Sequence, residues 1–208
     1  MDDPLQDPRA ADLLAAHPDE VATLAANFQA AADESAMTAT GLRAAQQDGI
    51  WTGRAANAFR GAIGQLPGQL SQVQAGYAAV SDALRAYEPE LASIQSSFAA
   101  LLAHRAQLTA QLTAAETISA DAHQAVAAAA AQGPSGRPGV AASAELAIAG
   151  ADRSIGAYRG EIDALNARGY ALLDEFAATR DSCRAAVAAA QRTAPVRPIQ
   201  GMGEVVIS

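Results

Sequence analysis

The chain has 208 residues with 14 Lys and Arg against 22 Asp and Glu, a formal net charge of −8, and every one of its basic residues is arginine. That balance provides no basic face for a phosphate backbone or an anionic lipid surface, so neither nucleic acid nor an anionic membrane is expected as a partner. Half of the residues are apolar but only 4% are aromatic, an alanine-dominated mix that suits close-packed helices rather than a sheet-based core.

Residues 1–17, beginning MDDPLQDPRAAD, are acidic and interrupted by proline, and read as an irregular N-terminal segment. They lack the basic start and apolar run of a secretory signal peptide. No stretch approaches the roughly 18 uncharged apolar residues of a membrane span. Any export of this chain after synthesis in the cytoplasm is therefore expected to follow a route independent of a signal peptide.

From Val21 the apolar or small positions step by three and four, through Leu24, Phe28, Ala31, Ser35, Thr38, Leu42 and Ala45. This is one seam of a helix whose start is marked by Pro18 and two acids, and whose end is marked by Gly49. The stepping resumes after Trp51-Thr52-Gly53 with Ala56, Phe59, Ile63, Leu66, Leu70, Val73, Tyr77, Val80, Leu84 and Tyr87, and continues in phase to Leu112. Pro67 and Pro89 interrupt the hydrogen-bond ladder, yet neither shifts the seam, which favours one long, kinked helix over 54–132 rather than a hairpin at Pro89. GPSGRPG at 133–139 reads as a loop. A last helix has its seam at Ile148, Ala151, Ile155, Tyr158, Ile162, Leu165, Gly169, Leu172, Phe176, Thr179, Cys183 and Val187, and residues 193–208 read as a flexible tail.

Together these elements predict an all-α fold: an elongated antiparallel helical bundle over 18–192, with a hairpin over 18–90 whose tip is the turn at 51–53. Little in it suggests chemistry. His17, His104 and His123 share no metal-ligand spacing with cysteine or carboxylates, and GPSGRPG lacks the strand and the Lys-Ser/Thr ending of a nucleotide loop. Cys183 sits on a helix seam, where a buried structural thiol is the ordinary role. No catalytic residue, cofactor or metal is expected, and the chain does not read as an enzyme.

The turn itself is the informative feature. Ile50-Trp51-Thr52-Gly53, followed by Ala55-Ala56-Asn57-Ala58-Phe59 and preceded by a helix with Leu42, resembles the centre of the Trp-x-Gly family of small helical hairpins exported by type VII secretion systems. The resemblance covers roughly residues 18–90. It implies helical pairing with a small Trp-x-Gly-type protein or recognition by a secretion ATPase. It also implies a two-part export signal, the Trp-x-Gly turn with a Tyr-x-x-x-Asp/Glu element, and a secreted or cell-surface destination. Longer proteins with such a leader include secreted effectors and polymorphic toxins, for which the helical region serves delivery. Alanine and arginine without lysine fit a GC-rich, actinobacterium-like coding sequence.

Trp51 and Gly53 are then the candidate recognised tip, and Phe59 opens the stripe that packs internally or docks a partner. The expected tyrosine element departs from the family: Tyr77 is followed four residues on by Ser81, and Tyr87 by Leu91. The match is Tyr170-Ala171-Leu172-Leu173-Asp174, far along the last helix. Tyr170 and Asp174 are one turn apart on a face beside the seam. The alternative reading is a coiled-coil scaffold or spacer that self-associates and has no role in secretion.

Overall fold

The computed structural model describes residues 3–47, 52–131 and 138–193. Every regular element among them is helical: a 3₁₀ turn at Pro4–Gln6, α1 at Pro8–Ala15, α2 at Pro18–Ala45, α3 at Arg54–Ile63, α4 at Leu66–Ala131 and α5 at Pro138–Thr193. The expected all-α helical architecture is what forms. The chain divides into two compact units, Met1–Ala11 with Gln95–Asp174, and Asp12–Ile94 with Glu175–Ser208.

The N-terminal segment is not irregular. Asp3 and Asp7 each precede a proline, and each carboxylate accepts a backbone N–H two residues on, from Leu5 at 3.0 Å and from Arg9 at 2.9 Å. Asp followed by Pro is an N-cap followed by a residue already set at the helical φ. The prolines that read as breakers are helix starts.

In the unit containing Asp12–Ile94, α2 runs antiparallel to α3 and the start of α4. Its contacts step in opposite directions: Ser81 with Ala25, Tyr77 with Phe28, Ser71 with Arg43 and Ile63 with Gln46. The expected seam of α2 is displaced. Leu24, Phe28 and Leu42 are only half-buried, whereas Ala25, Ala32 and Ala39, seven residues apart, are each 1% exposed. Methyl-sized side chains along that line let α4 approach closely. The approach is close enough for the buried Ser81 hydroxyl to donate to the Ala25 carbonyl at 2.8 Å. Val80, Leu84, Tyr87 and Leu91 of α4, with Phe176 and Cys183 of α5, supply most of the remaining core.

The continuous helix expected over 54–132 is divided at Gly64 and Gln65. Pro67 is the cause, because it has no N–H to return to the Ile63 carbonyl one turn back. The Gln46 side-chain amide donates to that carbonyl instead, at 3.0 Å. Pro89, by contrast, lies inside α4, an unbroken helix of 66 residues in all. Its ring is on the exposed side of the helix, so the ladder loses a bond where water can replace it and the buried seam keeps its phase.

In the other unit, α4 and α5 pair antiparallel, with Leu101 against Gly169, Glu116 with Arg159 and Ser119 with Asp152. Phe98, Leu101 and Leu108 are buried, then the same heptad line turns to Ala115 and Ala122, matched on α5 by Ala144 and Ala151. Of the loop expected at 133–139, Pro138 and Gly139 belong to α5, with proline at the first helical position, and the other residues lie outside the described ones. Thr193, placed in the tail on sequence, ends α5. The rest of that tail lies outside the described residues.

Candidate functional site

Trp51 lies outside the described residues; Gly53 does not. It precedes α3 with φ 104° and ψ −179°, and it is the one positive-φ residue among those described. This region is close to glycine-only, because a Cβ there collides with its own backbone. The Asn57 N–H then closes the first turn of α3 onto the Gly53 carbonyl at 3.1 Å. The glycine of the motif is thus required by the backbone that turns the chain into the returning helix.

The returning helix shows much of its apolar surface. Ala56 is its one fully buried residue, and Phe59 is 39% exposed, as are Leu66 at 41% and Met37 at 69% on the neighbouring helices. Phe59 therefore buries the larger part of its side chain and shows the rest at the surface.

Tyr170 and Asp174 are both on α5. Tyr170 is half-buried and Asp174 exposed, while Gly169, Leu172 and Leu173 beside them are buried. The tyrosine and the carboxylate do share a partly exposed face, but Asp174 is not a lone solvated acid. Arg9 Nη1 donates to its Oδ1 at 2.5 Å. The same guanidinium donates through Nε and Nη2 to Asp7, at 3.0 and 2.8 Å. Hydrogen bonds from the Arg9 side chain and then its backbone N–H hold the Asp7 carboxyl below its ordinary range, and the two carboxylates push the Arg9 guanidinium further up.

Two further contacts accompany this one. Arg105 on α4 meets Asp3 at 2.9 Å. Pro4 is buried over Gly169, so closely that a Cβ at Gly169 would stand 2.9 Å from the Pro4 Cγ. Sequence reading missed Asp3, Pro4, Asp7 and Arg9 as parts of this site. The repeated Asp-Pro pair was the available signal, since it marks helix starts and hence an ordered segment.

His17, His104 and His123 are exposed, and no group of three metal-ligating side chains comes together among the described residues. A 410 Å³ open groove between α4 and α5 is lined by Gln111, Ala114, Ile118, Gly150, Ser154 and Tyr158 among others, without a carboxylate, imidazole or thiol to work as a base or nucleophile. Cys183 is buried, which pushes its thiol up and away from the reactive thiolate. No described helix is long and apolar enough to cross a membrane. No family model matches the chain, and no curated protein or solved structure is similar to it.

Proposed function

We propose that this protein is a non-enzymatic substrate or trafficking domain of a type VII-like secretion system, whose helical hairpin presents the Trp51–Gly53 tip to a small helical partner or a secretion ATPase. The single observation that carries the reading is the backbone at Gly53. A Trp-x-Gly motif whose glycine adopts a glycine-only conformation, between one long helix and its antiparallel return, is a built turn and not a chance tripeptide. The exposed Phe59, Leu66 and Met37 add apolar surface on the hairpin that a partner helix would cover. A chain delivered in this way needs no catalytic constellation of its own, and any toxin or effector activity would belong to cargo.

The test is export of full-length Trp51→Ala and Gly53→Ala variants from a host with a type VII system, with circular dichroism and solubility as controls. Loss of export with helicity retained is expected. Unchanged export of soluble, helical Trp51→Ala would reject the role.

A further inference from the structure

Residues 3–10 belong to the same compact unit as residues 95–174, and they are fastened there at three points. Asp3 holds Arg105 at one end, Arg9 holds Asp174 at the other, and Pro4 sits in the notch left by the missing side chain of Gly169. The fastening is specific in its spacing: acid, apolar ring and cation along the strand of chain face cation, glycine and acid along α4 and α5.

Pro4 and Ala10 of this segment are buried, but its Arg9 end is weakly held. The Asp174 side chain is 72% exposed in its pair with Arg9, and ion pairs of that kind contribute little and are screened by salt.

We propose that residues 3–10 are a detachable strap over the Tyr170–Asp174 face, and that a partner reading this face displaces the strap by replacing Arg9 on Asp174 with a cation of its own. The idea rests on the trafficking reading above, with the Tyr-x-x-x-Asp element that the resemblance implies taken as a second recognised face. Asp174 then has two exclusive states, held by Arg9 within the chain or by the partner. Gly169 has its own duty: it is the notch that lets the strap close.

The experiment uses the full chain and the double variant Asp3→Ala/Arg9→Ala, which leaves Tyr170 and Asp174 intact. Hydrogen exchange read by mass spectrometry should show residues 3–10 exchanging about tenfold faster in the variant, with the remaining helices unchanged. Export from the type VII host should rise, and adding Asp174→Ala should abolish the rise. Gly169→Ala, which evicts Pro4, should free the strap by a second route and raise export likewise. If residues 3–10 exchange no faster in either variant, these contacts are not the fasteners and the proposal falls. If exchange quickens but export does not change, while Trp51→Ala still blocks it, the strap does not regulate the face although the trafficking reading stands. If Trp51→Ala is exported normally, the trafficking reading fails and the regulatory role goes with it.

Discussion

The Gln46 side-chain amide donates to the Ile63 carbonyl at 3.0 Å, the carbonyl that Pro67 leaves without its helical donor. Two apparent defects, a proline near a helix start and a glutamine at a helix end, thus form one stitch across the hairpin. Gln46→Ala should cost about 1 kcal/mol in urea unfolding, the usual value of such a bond. Pro67→Ala restores a backbone donor to Ile63, so in that background the Gln46 substitution should be nearly silent. A double-mutant cycle measures the difference; equal costs in both backgrounds would show that Gln46 acts elsewhere.

Gly53 combines φ 104° with ψ −179°, and nothing lies within 4 Å of where its Cβ would stand. The penalty of substitution is therefore intrinsic to the backbone. Gly53→Ala should lower stability by about 1–3 kcal/mol. Gly53→Asn should be no better, because asparagine tolerates the left-handed helical well near ψ +47° but not an extended ψ. Thermal unfolding of the two variants decides it: a clear rescue by asparagine would mean the turn relaxes to an ordinary left-handed form.

The large-residue seams were legible because Leu, Ile and Phe at a spacing of three and four leave a pattern that neither Pro67 nor Pro89 can shift. The α2 interface was not, since alanine is so frequent in this chain that Ala25, Ala32 and Ala39 stand out from their neighbours only once burial is known. The Tyr170–Asp174 spacing was visible, but its partner Arg9 is separated by 165 positions, and no local periodicity encodes such a contact. Asp-Pro pairs were ambiguous for a different reason: proline ends helices as well as starting them, and only the preceding Asp separates the two cases.

The alanine line of α2 makes a sharp prediction about volume. Ala32 is 1% exposed, and its line faces a helix near enough for Ser81 to bond the Ala25 carbonyl. Ala32→Leu should destabilise by about 1–3 kcal/mol through overpacking. The same change at exposed Ala30 should stay within about 0.5 kcal/mol. Equal tolerance at both sites, read by chemical denaturation, would mean that α2 and α4 are not closely packed.

Alkaline pH should weaken the fold through two neighbouring groups. Burial pushes the Cys183 thiol above its ordinary 9.0, and Tyr87 is raised above 10.0, first by burial and then by the nearby Cys183. Both groups are neutral when protonated. As pH climbs past the ordinary values, the unfolded chain releases protons that the folded chain retains, so the unfolded state binds fewer and stability falls with rising pH. Below about pH 8 the two groups contribute no slope, because both states hold their protons. The chain is well suited to this measurement, since it has no lysine and a single cysteine. The melting temperature should be level from pH 7 to about 8 and fall toward about pH 10.5. Tyr87→Phe combined with Cys183→Ala should flatten the fall, even if the double variant melts lower throughout. An undiminished slope in that variant would mean that these two groups do not cause the alkaline loss.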